Sequence, residues 1–478
     1  MPLPVISIAA MRDWEQSTWA AGQTESEVIR RVGRKVAAEA LELTRSGDLI
    51  LILAGKGHNG EDARNAREHL GERRVDLLDV TDPVSDLATL EGCLSLGPAL
   101  IIDGLFGLGL NRRLSAAWGA FIERLNRSQC PVLAVDVPSG LNADTGEPEG
   151  AAVRARRTLT VGAPKRGLLQ PPAWPFVGRL EIAREVGLVP CPCESELQWV
   201  LPADFDSYPP SRLTATHKGS YGHLGILAGS LGYHGAAVLC ARGAQRAQPG
   251  LITLYTNENV YPMIASQLQA VMVSPWSADT NLPGPASALL AGPGLAAPSV
   301  PDRLKEVVQQ LWLQCVLPMV VDASALDWIA GVPGRTGAIR VITPHPGEAA
   351  RMLNTDVRAV QADRVAALRE LSRSCGGSWV VLKGHQTFIG RATGEIWVNS
   401  SGNPYLAQGG SGDVLSGYAA GLITQPALQK DVITTLACAV WQHGAAADRL
   451  QAGRRNWVVE DLLDELGTQS GVRAGVRG

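Results

Sequence analysis

Lysine is scarce in this chain, and the sequence has neither paired cysteines nor long apolar runs. Seven lysines stand against 36 arginines. The eight cysteines are scattered singly apart from Cys191 and Cys193, so they form neither a disulfide framework nor a zinc-binding spacing. No apolar run reaches the roughly 18–20 residues of a membrane-spanning helix. The first ten residues lack the basic region of a signal peptide. We therefore expect a reduced, cytoplasmic protein with no membrane role.

Charge and length narrow the possibilities further. The formal net charge of -3 provides no basic stripe for neutralising nucleic-acid phosphates. A chain of 478 residues is too long for one ordinary core, which predicts two or three domains. The 52 glycines and 30 prolines suit a loop-rich α/β protein with tight turns between strands and helices. Four of the seven lysines lie in glycine-rich motifs, where a compact charge is more useful than a planar guanidinium: Lys56, Lys165, Lys218 and Lys383.

Short apolar runs alternate with helix-like segments along most of the chain. In the first part, four runs have the length of strands buried on both faces: 49–54, 99–102, 132–135 and 158–161. Such alternation predicts right-handed βαβ units and a doubly wound parallel sheet. Prolines crowd between 187 and 217, and the pattern then restarts with runs at 224–228, 251–255, 319–321, 341–343 and 379–382. We therefore predict two α/β domains, covering residues 1–212 and 213–478.

Polar loops follow three of the predicted strands in the first domain. The run 49–53 leads into the glycine-rich turn Gly55–Gly60, whose backbone N–H groups at a helix start could bind an anion or simply form a tight turn. Asp103 and Asp136 begin similar loops after the next two runs, although each could alternatively cap a helix or a turn. Because ligands of doubly wound sheets lie outside the carboxyl ends of strands, these loops predict one polar crevice.

These motifs resemble the NAD(P)H-hydrate epimerase family in content and order. The segments that carry the resemblance are Gly57–Asp62, Asp103–Gly109, Asp136–Gly146 and Gly162–Lys165. The resemblance implies a three-layer αβα, Rossmann-like domain that interconverts the C6 epimers of hydrated NADH or NADPH. It also implies Asp136 as the acid–base group.

The resemblance further implies which residues bind ligands in this domain. A K⁺ ion would be held by Asn59, Asp103 and Ser139. The hydrate would be bound by His58, Asn59, Gly60, Glu61, Asp62, Gly107, Leu108, Gly109, Leu110, Asn111, Arg112, Arg113, Asp136 and Lys165. Glycines are usual in the family where this chain has Glu61 and Ala63. We expect the added carboxylate to weaken anion binding at the neighbouring loop.

The glycine-rich segment Gly409–Asp413 is the most specific signal in the second domain. Consecutive glycines before a helix let the backbone approach a transferring phosphate, and N-terminal amides can stabilise its charge. Asp413 could then take a proton from an attacking hydroxyl, or it could merely cap the helix. His345 stands between two prolines after a strand and is either a ligand contact or a loop histidine. Lys383 ends another strand, where it could bind a nucleotide phosphate or lie on the surface.

The second-domain motifs together are similar to the ADP/ATP-dependent NAD(P)H-hydrate dehydratase family of the ribokinase-like superfamily. Besides Gly409–Asp413, they comprise Lys218–His223, Gly229–Ala237, Ala291–Gly294, Asp322–Leu326, Thr343–Glu348 and Leu382–Thr387. The resemblance implies a second three-layer αβα domain in which a nucleotide phosphorylates the hydroxyl of the hydrate and the phosphate then leaves. Asp413 would be the base, and Mg²⁺ would accompany ADP or ATP. One departure, Gln248-Pro249-Gly250, lies away from these motifs in sequence.

Ligand-binding residues of the second domain follow from the same resemblance. Those facing the hydrate would be Ala237, Gly294, His345 and Asp413. Those binding the nucleotide would be Lys383, Gly384, His385, Gln386, Thr387, Gly409, Gly410, Ser411 and Gly412.

The leading hypothesis is a bifunctional repair enzyme that uses both domains. One alternative is a ribokinase-like small-molecule kinase, which would need neither the first domain nor the segment Thr343–Glu348. Another makes the first domain a binding module without epimerase activity. We expect small-molecule substrates, no nucleic-acid or membrane partner, and a homo-oligomer.

Overall fold

The computed structural model describes residues 1–277, 280 and 282–468, and it divides into two compact units. The first unit spans residues 3–196, and the second begins at Leu197 and also holds Met1 and Pro2. The division falls inside the proline-rich segment, earlier than the boundary expected after residue 212. The reason is that strand Leu197–Trp199 pairs in parallel with Ile396–Val398 of the second unit.

The first unit is a six-stranded parallel sheet with helices on both faces. Its strands are β1 Leu49–Ala54, β2 Arg74–Asp79, β3 Leu100–Gly104, β4 Val132–Val135, β5 Arg157–Val161 and β6 Arg179–Ala183. Its helices are α1 Ile8–Ala20, α2 Glu25–Leu43, α3 His58–Ala66, α4 Leu87–Ser95, α5 Ala116–Arg127 and α6 Trp174–Val177. The strand order is β2-β1-β3-β4-β5-β6, so the order reverses between β1 and β3. Ligands of doubly wound sheets bind outside the strand ends at such a reversal.

Strand periodicity explains the three layers of the first unit. Ile50 and Ile52 point to one face, where they pack with α1, α2 and α3. Leu51 and Leu53 point to the other face, where they pack with α4 and α5. All six residues of β1 are buried, as expected for a strand covered on both sides. The predicted Rossmann-like αβα arrangement is confirmed.

The second unit is built around one larger mixed sheet. Its strands are β7 Leu197–Trp199, β8 His223–Leu227, β9 Leu251–Thr256, β10 Met272–Pro275, β11 Ala288–Ala291, β12 Met319–Val321, β13 Arg340–Ile342, β14 Trp379–Leu382, β15 Phe388–Gly390 and β16 Ile396–Val398. Their order is β7-β16-β15-β14-β13-β12-β11-β8-β9-β10. The pairs are parallel except where β15 runs against β14 and β16.

Helices cover the second sheet as the alternation of apolar runs predicts. They are α7 His234–Arg246, α8 Tyr261–Ala265, α9 Asp302–Gln314, α10 Ser324–Trp328, α11 Pro346–Met352, α12 Val357–Ala362, α13 Arg364–Ser374, α14 Ser411–Ile423, α15 Val432–Gly453 and α16 Val459–Glu465. On one face of the sheet, Ile226 of β8 packs with Leu290 of β11 against α7, α14 and α15. The alternating Leu289 and Val321 are buried on the opposite face.

Two further expectations can be compared with the described residues. All eight cysteines are free thiols. No helix in the described part of the chain is long and apolar enough to cross a membrane.

Candidate active sites

A cavity of about 1100 Å³ opens at the carboxyl ends of the first unit's strands. The predicted site residues that line it are His58, Asn59, Asp62, Gly107, Leu108, Gly109, Leu110, Asn111, Arg112, Arg113 and Asp136. Gly60, Glu61 and Lys165 are not among the lining residues. The structure therefore brings most of the predicted epimerase-type residues around one space, as the convergence of strand ends predicts.

Close backbone packing fixes the loops around this cavity. A Cβ atom added to Gly55 would lie 2.1 Å from the carbonyl oxygen of Leu105. One added to Gly60 would lie 2.1 Å from the carbonyl oxygen of Gly55. Any side chain at these positions would displace backbone, so both glycines are required for α3 to approach the ends of β1 and β3.

Asp136 is the best-anchored acid of the cavity. Its Oδ1 accepts hydrogen bonds from Lys165 Nζ at 2.6 Å, Thr160 Oγ1 at 3.0 Å and the Val161 N–H at 3.0 Å. Among the described residues its Oδ2 has no hydrogen-bond partner, and Asp136 lines the cavity. The backbone of Asp136 has φ +60°, a region that L residues seldom adopt. The free carboxylate oxygen is thus available to a ligand.

Lys165 lies behind Asp136 and is fully buried. Besides Asp136, its Nζ donates to Thr160 Oγ1 at 2.9 Å and to the carbonyl oxygen of Val161 at 2.7 Å. All three protons of the ammonium are therefore used, which a buried cation requires. Lys165 fixes the orientation of Asp136 and does not itself face the cavity.

Asp103, Ser139 and Asn59 form a connected cluster beside the cavity. Ser139 donates from Oγ to Asp103 Oδ1 at 2.6 Å and from its N–H to Oδ2 at 2.9 Å. Asn59 Nδ2 donates to the carbonyl oxygen of Phe106 at 2.9 Å. Burial raises the pKa of Asp103 to about 6, although the hydrogen bonds from Ser139 oppose that shift. The structure places the three predicted K⁺ ligands together, and each of them offers a side-chain oxygen.

Two more carboxyl groups face this cavity. Asp62 is 8% exposed, and its Oδ1 has no hydrogen-bond partner in the described part of the chain. Burial raises its pKa well above the ordinary value, and the charges of Asp136 and Glu15 add to that shift. Glu15 comes from α1 and was not predicted as a site residue. Its neighbours at helical spacing, Met11 and Trp19, line the cavity too, and this period was the available signal.

The residues that depart from the family pattern are accommodated outside the cavity. Glu61 Oε1 accepts a hydrogen bond from Arg64 Nη1 at 2.8 Å. Ala63 is buried, and its Cβ occupies the space that a Cβ on residue 104 would need, where the chain has glycine. Arg64 also donates from Nη2 to the carbonyl oxygen of Gly55 at 2.8 Å, so the paired carboxylate lies next to the glycine-rich turn. The expected weakening of anion binding by Glu61 stays a prediction.

In the second unit, Gly409–Gly412 forms an open turn at the start of α14. Gly410 has φ +94°, which favours glycine, and it is the residue before the helix. A Cβ added to Gly409 would meet no atom within 4 Å, and one added to Gly412 would meet only Lys383 Nζ at 3.5 Å. The turn is thus unfilled on the side of Lys383, as an anion cradle requires.

Asp413 lies beside a group of buried charges. Lys383 Nζ contacts Asp322 Oδ1 at 2.8 Å and Glu348 Oε2 at 3.7 Å. The pKa of Asp413 is raised to about 7, first by burial and then by the charge of Asp322, although Lys383 opposes both. The pKa of Lys383 is raised because Asp322 and Glu348 outweigh the effect of burial. A carboxylate with a pKa near 7 is suited to accept a proton at neutral pH.

The loop from Lys383 to Thr387 is held from below by Arg364, which was not predicted. Arg364 is buried and donates to the carbonyl oxygens of His385 at 2.7 Å and Gln386 at 3.2 Å. Burial lowers the pKa of Arg364 to about 10. The pKa of His385 is lowered to about 4, first by desolvation and then by the charge of Arg364. The Oε1 atom of Gln386 is buried without a partner.

The predicted hydrate-facing residues of the second unit lie at neighbouring strand and helix ends. His345 Nδ1 accepts from the N–H groups of Gly347 at 3.0 Å and Glu348 at 3.3 Å, so its ring is fixed as the cap of α11. Ala237 lies in α7, which packs on α14. Gly294 has φ +68°, and its carbonyl oxygen accepts from Ser230.

His443 is, after Glu15 and Arg364, the third residue that was not predicted. It is buried in α15, and its Nε2 lies 3.0 Å from the carbonyl oxygen of Ser411. Burial lowers the pKa of His443 to about 4, so the ring is neutral and donates from Nε2. This bond fixes the first turn of α14, on which Asp413 depends.

Comparisons with known proteins agree with this description. The family model described as NAD(P)H-hydrate dehydratase matches residues 224–468, and the model described as YjeF-related protein N-terminus matches residues 78–167. The bifunctional NAD(P)H-hydrate repair enzyme of Gloeobacter violaceus is 34% identical, over 94% of each chain. The enzyme of the same description from Escherichia coli is 33% identical, over 92% of each chain.

Solved structures resemble the second half of the chain. A ribokinase-like superfamily protein from Enterococcus faecalis is 24% identical, with a TM-score of 0.50, and covers 57% of this chain and 95% of its own; it supports the fold. The ADP/ATP-dependent NAD(P)H-hydrate dehydratase of Bacillus subtilis, co-crystallised with ATP and Mg²⁺, is 33% identical with a TM-score of 0.48. It covers 54% of this chain and 91% of its own. Given the full-length relatives and both domain matches, the chain belongs to the family of bifunctional NAD(P)H-hydrate repair enzymes.

Proposed function

We propose that the second unit dehydrates the hydrate through a phosphorylated intermediate, with Asp413 as the base. Asp413 takes the proton from the C6 hydroxyl as that oxygen attacks the terminal phosphoryl group of the nucleotide. The N–H groups at the start of α14 and the ammonium of Lys383 stabilise the transferring phosphoryl group. Phosphate, a far better leaving group than hydroxide, then leaves with the electron pair of the C6–O bond, and loss of a proton from the adjacent ring carbon forms the double bond that restores NAD(P)H.

The nucleotide in this proposal is ADP, which yields AMP and phosphate, with ATP as the other candidate. It would be bound by the loop Lys383–Thr387 and by Gly409–Gly412, where the absence of Cβ atoms leaves open space beside Lys383. The buried Oε1 of Gln386, which lacks a partner, suits a hydrogen bond from a ligand amino group. Mg²⁺ would accompany the nucleotide phosphates and supply positive charge to them.

The first unit, in our proposal, interconverts the C6 epimers at the cavity around Asp136. Lys165 orients Asp136, and the cationic loop ending in Arg112 and Arg113 binds the substrate's phosphates. Asn59, Asp103 and Ser139 would hold K⁺, and their amide, carboxylate and hydroxyl oxygens fit a hard cation. That ion would contribute positive charge next to the phosphate-binding loop. Like the expected homo-oligomer and cytoplasmic location, these residue roles are proposals.

One observation supports the proposed role of Asp413 most directly. Asp413 stands next to an open glycine turn, with its pKa raised to about 7, while Lys383 occupies the space where phosphate charge would develop. A small-molecule kinase would share that turn. It is not favoured, because the full-length relatives are bifunctional repair enzymes whose likeness spans both halves of this chain.

The experiment that tests the proposal uses the purified full chain and a mixture of both C6 epimers of NADH hydrate. With Mg²⁺ and ADP or ATP, absorbance of the reduced nicotinamide should recover to completion, and AMP or ADP should form in equal amount. Without nucleotide, a purified single epimer should convert to a mixture, with no recovery of absorbance. Recovery without nucleotide consumption would contradict the phosphorylated intermediate, and recovery of one epimer alone would contradict the epimerase assignment.

A further inference from the structure

The first-unit cavity contains an acidic side chain that the proposed epimerase mechanism leaves unused. Glu15 lines the same cavity as Asp136, and within the described residues its carboxyl group has no hydrogen bond or ion pair. It is held in place by its helix, since Met11 and Trp14 of the same helix are buried. Trp14 Nε1 donates to the carbonyl oxygen of Val189 at 2.8 Å. Glu15 is therefore an unpaired carboxyl group, held by its helix, in the same cavity as Asp136, and it is available to a ligand there.

Helix α1 is tied to the loop that carries the catalytic aspartate. The N–H of Ile8 donates to Asp144 Oδ1 at 2.8 Å, and Asp144 belongs to the segment that follows Asp136. Met11, Glu15 and Trp19 recur at a spacing of four residues, so they occupy one side of α1, and all three line the cavity. The orientation of Glu15 toward the cavity therefore follows from the packing of α1.

Resting on the proposed epimerase function, we infer that Glu15 is the proton donor that acts opposite Asp136 in C6 epimerisation. Asp136, with three donors on Oδ1, is the partner that accepts a proton. Two carboxyl groups in unlike surroundings divide such acid and base work in many enzymes. The buried Asp62, whose Oδ1 lacks a partner and which lines the same cavity, independently indicates that a ligand with hydrogen-bonding groups completes this space.

The proposed step balances without a further reactant. Glu15 gives its proton to the C6 hydroxyl, the C6–O bond breaks, and the oxygen leaves as water with the bonding pair. The lone pair of the ring nitrogen forms an N1=C6 double bond. Water then adds to the other face of C6, the double-bond electrons return to N1, and Asp136 accepts the proton lost by that water. A proton passes from Asp136 to Glu15 through solvent to restore the starting state.

The surroundings of Glu15 favour the protonated form that this role needs. Burial raises the pKa of Glu15, and the charge of Asp136 adds to that shift. The charge of Glu25, on α2, also raises the pKa of Glu15. The charges of Lys165 and of His58, which lies on α3, lower it. Asp62 on α3 and Arg12 on α1 also line the cavity. An acid with a raised pKa loses its proton as the pH rises, so the epimerisation rate should fall on the alkaline side.

The test compares epimerisation by Glu15→Gln, Glu15→Asp and wild type, using a single purified epimer without nucleotide. Gln keeps the size of the side chain but cannot donate a proton, so kcat should fall about 100-fold with little change in KM. The pH profile of Glu15→Gln should lack the fall in epimerisation rate on the alkaline side. Glu15→Asp should retain part of the wild-type rate. Asp13→Asn is the matched control, because Asp13 is exposed on the same helix and does not line the cavity.

Each outcome of this test has a defined meaning. Nucleotide-dependent dehydration by Glu15→Gln should match wild type, which shows that the chain is folded. If wild type interconverts the epimers and Glu15→Gln does so within threefold with the same pH profile, the role of Glu15 is wrong and the epimerase function stands. If wild type itself does not interconvert them, the proposed function of the first unit is wrong and the role of Glu15 is wrong with it. Should Glu15→Gln not fold, Glu15→Asp decides, because full wild-type kcat with an unchanged pH profile would overturn the role.

Discussion

The two units differ in which carboxylate their buried lysine contacts. In the first unit Lys165 lies 2.6 Å from Asp136 itself. In the second unit Lys383 lies 2.8 Å from Asp322 and leaves Asp413 without a hydrogen bond to its side chain among the described residues. Burial first, and then the charge of Asp322, raise the pKa of Asp413 to about 7, although Lys383 opposes both. The first unit thus has a carboxylate held in a fixed orientation by its lysine, whereas the second has one whose pKa suits it to accept a proton near neutral pH.

Exchanging the two candidate aspartates for asparagine should produce the largest effects and separate the units completely. Asp413→Asn removes the base, so nucleotide-dependent dehydration should fall by about 10³-fold, whereas epimerisation should stay within twofold of wild type. Asp136→Asn should do the reverse. The two rates are measured on the same preparations, by recovery of reduced nicotinamide and by conversion of a single epimer.

A surface substitution controls for the loss of one negative charge. Asp464, on α16, is an exposed ion-pair partner of Arg246. In Asp464→Asn the rates of dehydration and epimerisation should both be unchanged. Near wild-type dehydration by Asp413→Asn would show that another group is the base. Loss of both activities in either variant would show that the division of labour between the two units is wrong.

Lys165→Met should cost the first unit stability as well as activity. The side chain of Lys165 is fully buried, and its removal leaves Asp136 without the ammonium that its Oδ1 contacts. Breaking a buried pair from one side destabilises proteins by about 3–5 kcal/mol. Urea unfolding followed by tryptophan fluorescence should show this loss.

The surface pair of Lys305 and Asp302 provides the control. In Lys305→Met only an exposed pair is lost, so the free energy of unfolding should change by about 1 kcal/mol or less. Equal losses for the two variants would contradict the buried role of Lys165.

Strands buried on both faces could be predicted from the sequence, and edge strands could not. The run Leu49–Ala54 is apolar throughout because helices cover both faces of β1. By contrast, β2 Arg74–Asp79 lies at the sheet edge and mixes charged and apolar residues, so no apolar run marks it. The interior strands Phe388–Gly390 and Ile396–Val398 were missed for another reason: no helix separates them from each other or from Trp379–Leu382, so the alternation of strands and helices does not mark them.

The candidate sites divide along similar lines. Loops at strand ends, such as those with Asp103 and Asp136, could be predicted because parallel strands deliver their carboxyl ends to one edge. Glu15 and Arg364 come from helices. Sequence spacing indicates that Met11, Glu15 and Trp19 share one side of α1, but whether that side faces a cavity depends on tertiary packing. Glu61 is a position where the sequence gives the charge and only the structure gives its partner. Its charge is expected to weaken anion binding at the neighbouring turn, and the sequence does not show that the charge is paired with Arg64.

The pH dependence of dehydration should sharpen the comparison between the units. Asp413 must be ionised to act as base, and its pKa is about 7. Below that value kcat/KM should therefore fall about tenfold per pH unit, and above it kcat/KM should level off. Asp322→Asn removes a charge that raises the pKa of Asp413, so the midpoint should move to lower pH. An unchanged midpoint in that variant would contradict the electrostatic coupling of these two residues.

The smallest effect is expected from Glu61→Gln, and it bears on whether the first unit is an active enzyme or a binding module. The carboxylate of Glu61 is paired with Arg64 on the exposed side of α3 and does not line the cavity. Exposed ion pairs contribute about 1 kcal/mol or less, so the free energy of unfolding should change by no more than that amount. The KM for epimerisation should change by no more than twofold. Arg113→Gln, which removes a charge from the cavity lining, should instead raise KM severalfold, and the difference should shrink at high salt. If Glu61→Gln lowered KM as strongly as Arg113→Gln raises it, the carboxylate would act on the bound phosphates. The departure from the family glycine would then weaken binding in the first unit after all.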